Sequence, residues 1–334
     1  MSHERLTTVL LGAGKSGKLY YEALRKSQLC ELVAVISSNG RSARALGEES
    51  SHAAVGAGGD WLAYSPDLVV VASPHSYHGA QVAKSLDAGA HVIVDKPAAM
   101  NFNQLAKLVD AAANAVGSLY CGFTQRCNDG MTACRHAIRP RFRELRRIMI
   151  DQTLRRDDVY YDGWKGSVAM AGGGVLLNQA IHALDLVSYL TDAPVVFRQV
   201  DLLRERKPGI ETTVRASYAA GGLVPISLSA TTDAARELRQ EILFEYNDRT
   251  KVIVLGSEHP SWKPAAPGDE TAARRELEAE PDAYGPSHDN LVSDVAMAIL
   301  SSGQSRYKLE LESCLTAHTA VYQTKGDTLC RSSL

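Results

Sequence analysis

Residues 6–24 read LTTVLLGAGKSGKLYYEAL, from Leu6 through Gly12-Ala13-Gly14-Lys15-Ser16-Gly17 to Leu24. A short apolar run, Val9 to Leu11, meets a glycine-rich turn, and Leu19, Ala23 and Leu24 then recur at helical spacing. The stretch reads as strand, glycine turn, helix. In a dinucleotide-binding unit each glycine has its own task. Gly12 turns the chain off the strand, Gly14 lets the backbone approach a pyrophosphate, and Gly17 lets helix and strand pack closely. The N–H groups at the helix start, around Ala13, Lys15 and Ser16, would face the phosphates. Gly12 to Lys18 also reads G-x-x-x-x-G-K, the loop of nucleotide triphosphatases. That loop needs Ser or Thr next to hold Mg²⁺, and Leu19 has no oxygen to offer. The register ending at Lys15-Ser16 would need a glycine where Val9 stands.

The 334 residues suffice for two domains with sizeable cores. We place the boundary after Phe123, giving a dinucleotide-binding domain over 1–123 and a second domain over 124–334. A net charge of −2 gives no reason to expect a nucleic-acid or membrane partner, and no apolar run approaches the roughly 18 residues of a membrane span. The basic stretch from Arg135 to Arg147 reads as a solvated face before a strand, because the rest of the chain offsets its charge. The six cysteines form no CxxC pair and no zinc-ligand spacing, and no signal-peptide pattern precedes Val9. Reduced thiols in a cytoplasmic protein are expected, with no metal site.

Leu32 to Ile36 is a continuous apolar run, suited to a strand buried on both faces of a parallel sheet. An NAD enzyme commonly has an acid after this strand to hold the adenosine ribose. Here Ser37, Ser38, Asn39, Gly40 and Arg41 follow, which leans toward NADP or toward use of both NADP and NAD; the alternative is an ordinary polar turn before a helix at Arg41 to Leu46. His52 to Val55 is a third strand. Asp67 to Ala72 is a fourth, and it stops at Ser73-Pro74-His75. Ligands bind at such strand ends in open α/β sheets, so Ser73, Pro74, His75 and His78 are candidates for the cofactor edge. For the histidines the competing reading is solvation in a polar loop. A helix from Tyr77 to Ala88 leads to the strand His91 to Val94, which ends at Asp95-Lys96-Pro97. That charged pair is either a plain strand terminus or a functional one, with Lys96 at the nicotinamide and Asp95 positioning it.

The run ASPHSYHGAQVAKSLDAGAHVIVDKPAAM (residues 72–100), with GAGKSG before it, resembles the cofactor domain of the Gfo/Idh/MocA oxidoreductases, the family of glucose-fructose oxidoreductase and inositol dehydrogenase. That family usually has Glu-Lys-Pro, its proline peptide often cis, where this chain has Asp95-Lys96-Pro97. After a helix from Asn101 to Ala115 and a sixth strand from Ser118 to Gly122, Phe123 to Arg126 crosses into the second domain. Arg126 is similar to a family arginine at this place and is a candidate substrate contact.

Glu144 to Thr153 reads as a strand. The aromatic loop Tyr160 to Lys165 suits stacking on a sugar or nicotinamide face, or equally a core plug. Trp164-Lys165 is similar to a family Trp-Arg pair, which implies a role at the cofactor or substrate. Gly172-Gly173-Gly174 then opens a helix on which Asn178 and His182 share a face, with Asp185 three residues on. By the resemblance His182 matches the catalytic histidine, and Asn178 occupies a position that many members fill with aspartate. Asn cannot transfer protons at neutral pH, but it can hydrogen-bond a substrate hydroxyl.

Beyond Thr191 the sequence alternates: Val224, Ile226 and Leu228 against Ser227 and Ser229, and Ile242, Phe244 and Tyr246 likewise. A largely antiparallel sheet follows, one face on helices. Its other face is expected to join copies into a homodimer or homotetramer. Ser257 to Pro286 reads as a surface excursion or lid, and two helices, His288 to Leu300 and Leu311 to Gln323, close the chain. The fold class expected is α/β, an N-terminal doubly wound Rossmann domain followed by an α+β domain with an open sheet. The resemblance implies an NAD(P)-dependent dehydrogenase or reductase with a carbohydrate-like substrate: a secondary alcohol on a sugar, amino sugar (an aminoglycoside included) or cyclitol. Lys96 and His182 would be its catalytic pair, and Arg126, Tyr160, Trp164 and Asn178 its substrate contacts. A non-catalytic nucleotide sensor and a hydrolase or lyase with transient redox are the alternatives on this fold.

Overall fold

The computed structural model describes residues 5–38, 43–44, 46, 53–55, 59–234, 239–248, 251–255 and 287–326. The chain divides into two compact units. One comprises Met1–Phe123, His288–Cys314 and Leu329–Leu334, the other Thr124–Ser287 and Leu315–Thr328.

In the first unit, β1 (Leu6–Leu11), β2 (Cys30–Ile36), β3 (Ala53–Val55), β4 (Leu68–Val71), β5 (His91–Asp95) and β6 (Leu119–Gly122) form one sheet in the order β3-β2-β1-β4-β5-β6. Every neighbouring pair is parallel. The apolar runs make this possible, because Val9, Leu10 and Leu11 on β1 and all of β4 are buried on both faces. The helices α1 (Lys15–Lys26), α2 (His75–Asp87) and α3 (Phe102–Asn114) connect the strands. Asn101 caps α3, its side chain accepting the Gln104 N–H at 2.9 Å. The strand order reverses between β1 and β4, so the loops leaving their carboxyl ends flank the crevice where open α/β sheets take ligands.

Two details differ from the sequence expectation. Helix α2 starts at His75, two residues early, because Pro74 stands at its N-cap. His75 and His78 are therefore buried helix residues and not members of a solvated loop. Second, His288–Cys314 groups with the first unit although the sequence boundary assigned all of 124–334 to the second. The cause is the open edge of the sheet at β6. The Cys121 N–H donates to the Leu309 carbonyl at 2.7 Å, and Tyr120 bridges Glu310 in antiparallel fashion. Leu291, Val292 and Val295 of α8 (Ser287–Leu300), a helix numbered after those of the second unit, are fully buried.

The second unit holds α4 (Asp129–Ile138), β7 (Leu145–Thr153), the short helices α5 (Asp158–Asp162) and α6 (Val168–Ala171), then α7 (Ile181–Thr191), β8 (Val195–Lys207), β9 (Ile210–Ala220), β10 (Val224–Thr231), β11 (Arg239–Tyr246) and β12 (Lys251–Leu255). A final helix, α9 (Leu311–Thr324), is shared between the two units. The sheet runs β12-β11-β7-β10-β9-β8, antiparallel except for the β7–β10 pair. On β10, Val224, Ile226, Leu228 and Ala230 are buried while Ser227 is exposed, so alternation sets the register. Every residue of α7 is buried. Val196, Val200 and Leu203 of β8 are exposed. Four of the arginines in the basic stretch form ion pairs, most of them at the surface: Arg135 and Arg139 with Asp192, Arg141 with Glu144 and Asp248, and Arg147 with Glu245. The expected lid and the residues around Arg41 lie outside the described residues.

Burial pushes both His78 and His288 below the ordinary histidine pKa near 6.5, against the pull of the nearby Asp95 charge. His288 therefore takes up its proton at a lower pH in the fold than in the unfolded chain. Its contribution is present above about 6.5 and is lost as the pH falls below it. Urea unfolding between pH 7 and 5.5 should show stability falling, by up to about 1.4 kcal/mol per pH unit for this histidine. A His288→Gln variant should fall less steeply. Equal slopes would mean that His288 titrates alike in the folded and unfolded chain.

Candidate active site

The glycine turn after β1 separates what the protein needs for itself from what it leaves open. Gly12 has φ +110°, and a Cβ there would lie 2.4 Å from the Ala72 carbonyl oxygen. A Cβ on Gly17 would lie 2.1 Å from the carbonyl oxygen of Gly12, so α1 packs directly on the turn. At Gly14 an added Cβ meets nothing within 4 Å. The protein's own packing requires Gly12 and Gly17 to be bare, and no neighbouring atom requires it of Gly14. Gly14 is the N-cap of α1, with no side-chain cap and no acid in the first turn, and exposed Lys15 follows it. An open space at an uncapped, acid-free helix start fits a pyrophosphate.

At the end of β4 the Ser73 hydroxyl donates to Gln81 Oε1 at 2.6 Å. His78 is 1 % exposed, its Nε2 lying 2.8 Å from the Ser73 carbonyl and its Nδ1 2.9 Å from the Pro97 carbonyl. His78 therefore braces two loops and does not present a ring nitrogen to a ligand, contrary to the cofactor-edge expectation. His75 packs against it, ring centroids 5.6 Å apart. At the end of β5, Asp95 Oδ2 accepts the Ser16 hydroxyl at 2.5 Å and Oδ1 accepts the Lys96 backbone N–H at 2.9 Å. The Lys96–Pro97 peptide is cis. Ser37 and Ser38 follow β2, the first half-buried and the second exposed.

In the second unit Arg126 is 1 % exposed and grips Asp185 with two bonds, Nε to Oδ2 at 2.7 Å and a terminal nitrogen to Oδ1 at 2.5 Å. Its guanidinium also lies over the Tyr189 ring, 5.2 Å from the centroid. Arg126 is therefore half of a buried ion pair, not the expected substrate contact. The sequence hid this because Asp185 lies 59 residues away.

The glycine stretch before His182 is also pinned from afar. Lys325 donates to the Gly172 carbonyl, and Glu211 Oε1 accepts the Leu176 N–H at 3.1 Å. A Cβ on Gly174 would lie 1.9 Å from the Glu211 carbonyl oxygen. Burial pushes the Glu211 carboxyl up, while the Lys325 ammonium pulls it down. Neither residue was found from sequence, since no local spacing marks them. Leu176–Ala180 then forms a π-helical turn, where the sequence predicted plain α-helix. Such wide turns frequently mark functional sites. Asn178 is in it, its amide nitrogen donating to Gly173 and Gly174 carbonyls at 2.9 and 3.0 Å. His182 follows in the first turn of α7, 8 % exposed.

Tyr160, Trp164 and Lys165 lie together. The Lys165 ammonium donates to the Tyr160 hydroxyl at 3.2 Å and lies 4.6 and 5.5 Å from the Tyr160 and Trp164 ring centroids. All three are half-buried. Among the described residues no group of His, Cys, Asp and Glu is arranged to hold a metal, and no helix is long and apolar enough to cross a membrane.

A family model described as "Oxidoreductase family, NAD-binding Rossmann fold" matches residues 6–123, and one described as "GFO/IDH/MocA C-terminal domain" matches residues 144–257. The chain belongs to the Gfo/Idh/MocA oxidoreductase family. It is 30 % identical over 204 residues to D-glucoside 3-dehydrogenase of Escherichia coli (strain K12), covering 59 % of this chain and 57 % of that one. It is also 30 % identical over 195 residues to the putative UDP-kanosamine synthase oxidoreductase subunit of Amycolatopsis mediterranei (strain S699), covering 57 % and 53 %. The chain thus spans just over half the length of these relatives. Its fold is that of the WlbA dehydrogenase from Bordetella pertussis, solved in complex with NADH and UDP-GlcNAcA, at a TM-score of 0.82 and 23 % identity over 98 % of each chain.

Gly14 and Gly17 of this Gfo/Idh/MocA turn should respond differently to a side chain. Gly14→Val should keep its melting temperature and lose binding in a fluorescence titration with NADH. Gly17→Val should lose stability instead, since backbone stands where its Cβ must go, and such overpacking costs about 1–3 kcal/mol or more. Normal NADH binding by folded Gly14→Val would remove the pyrophosphate from this turn.

Proposed function

We propose that this Gfo/Idh/MocA protein is an NAD(P)-dependent dehydrogenase or reductase that interconverts a secondary alcohol and a ketone on a sugar, amino sugar or cyclitol. The observation that supports this reading most is the glycine turn, which leaves Gly14 bare with no demand for it from the protein's own packing. The named activities of the relatives, on a glucoside and toward UDP-kanosamine, favour a pyranose ring as the substrate.

A cofactor whose pyrophosphate is held at the glycine turn would supply the hydride acceptor through its nicotinamide. The chain's own residues have to manage the alcohol proton. An alcohol oxygen loses its proton as the hydride departs, so a base must take it or a cation must steady the negative charge that develops. The His182 imidazole takes that proton, because a histidine changes charge near neutral pH without special tuning. The Lys96 ammonium hydrogen-bonds the same oxygen and stabilises the alkoxide. In the reverse direction the His182 imidazolium returns the proton to the ketone oxygen. Tyr160 and Trp164 offer flat apolar faces to the sugar ring. Asn178 holds the start of its helix and orients the substrate.

The cofactor side is read as NADP or NAD, with NADP mildly favoured. Ser37, Ser38 and Arg41 stand where an acid would repel a 2′-phosphate. A charge-assisted bond from Arg41 to that phosphate is worth on the order of 1.5–3 kcal/mol, roughly a ten- to hundredfold preference.

A screen of methyl glucosides, amino sugars, aminoglycosides, UDP-sugars and inositols with NAD⁺ and NADP⁺, followed by absorbance of the reduced nicotinamide, tests the reading. With the best substrate, His182→Ala and Lys96→Ala should each lower turnover by about 10²–10⁴-fold, while Kd for the cofactor changes little. Near wild-type turnover in both variants would overturn the catalytic assignment. A strong NAD preference unmoved by Arg41→Ala would overturn the reading of the residues after Ile36.

A further inference from the structure

The turn that carries Lys96 is tied to both loops flanking the point where the strand order reverses. One tie runs from Ser16, in the first turn of α1, through the Asp95 carboxylate to the Lys96 backbone: hydroxyl to Oδ2 at 2.5 Å, backbone N–H to Oδ1 at 2.9 Å. The other runs from the Ser73 carbonyl through the buried His78 ring to the Pro97 carbonyl. Residues on both sides of Lys96 in sequence are thereby fixed, and all the ties lie within the first unit.

The Ser16 tie changes what that residue can offer. A serine hydroxyl has one proton to donate. An ionised carboxylate only accepts, and an O–H···O⁻ bond of this length is at the short, strong end of its class. The Ser16 proton is therefore committed to Asp95, while its backbone N–H stays at the uncapped start of α1. Aspartate, one carbon shorter than glutamate, places its carboxylate between the glycine turn and the Lys96 N–H.

We propose that Ser16 is a positioning residue for Lys96, acting through Asp95, and that its side chain is not a phosphate ligand. This rests on Lys96 being the group that meets the reacting oxygen. The tie makes the glycine turn and the lysine turn one rigid piece, so a cofactor seated on the first meets a lysine already aimed.

Ser16→Ala keeps the backbone N–H and removes the tie. Amide hydrogen exchange on the cofactor-free protein should show the Lys96 N–H losing protection while the amides of β5 keep theirs. The NADH Kd, from fluorescence titration, should stay within about twofold, and turnover at saturating cofactor with the best substrate of the screen should fall roughly ten- to hundredfold, the scale of a misplaced group. Ser16→Thr, which retains the hydroxyl, should recover most of the loss. Asp95→Asn combined with Ser16→Ala should be no slower than the slower single variant, as expected of residues acting as a unit. A side chain that binds phosphate predicts the reverse: a weakened Kd, with Lys96 exchange and saturated turnover unchanged. That outcome overturns the proposal. If Lys96→Ala is slow while Ser16→Ala is fast, only the positioning role fails. If Lys96→Ala itself turns over normally, the catalytic reading beneath it fails.

Discussion

Two backbones in near contact set the geometry of the first unit. With only hydrogens on the α-carbon of Gly17, helix α1 comes down onto the carbonyl of Gly12, and Gly12 in turn adopts a backbone angle that side chains rarely tolerate. That closeness fixes where the helix begins, and hence where its first N–H groups lie relative to β1. Every neighbour then follows: Ser16 reaches Asp95, Asp95 holds the Lys96 N–H, and His78 fastens the other side of that turn to the end of β4. The sheet supplies a platform, but the contact between two glycines decides where its ligand end points.

The second unit adds buried charge to close approach. Arg126 and Asp185 neutralise each other out of water, which is tolerable only because both forks of the guanidinium are used. Glu211 and Lys325 fasten the glycine stretch before the helix of His182, one through a backbone N–H and the other through a carbonyl. The polar groups that would otherwise be stranded at the start of a fully buried helix are given partners this way.

The sequence carried the fold where local rules suffice. The glycine turn, the doubly apolar strands and the alternation of Val224, Ile226 and Leu228 each mark their element within a few residues. The resemblance around Asp95-Lys96-Pro97 and Asn178 to His182 marked the two halves of the candidate site. What stayed hidden depends on distant partners. Arg126 reads as a candidate substrate contact until Asp185 is brought to it. His75 reads as a loop residue because the sequence reading starts the helix only at Tyr77, whereas it begins directly after Pro74. The π-helical turn has no local signature, and the Glu211 and Lys325 bonds to the backbone before and within it come from residues far along the chain. Alternation alone also could not reveal that β7 and β10 run parallel, because both pairings share the period of two.

The bond from Cys121 to Leu309 makes the first unit discontinuous along the chain. In order of synthesis, the Rossmann strands are complete long before the segment that closes their outer edge exists. Until Leu309 and Glu310 emerge, β6 presents unsatisfied backbone groups, the kind of surface on which chains stick to one another. The nascent protein therefore has a vulnerable interval, which spans the making of the entire second sheet and ends only when the chain comes back to the domain with which it began.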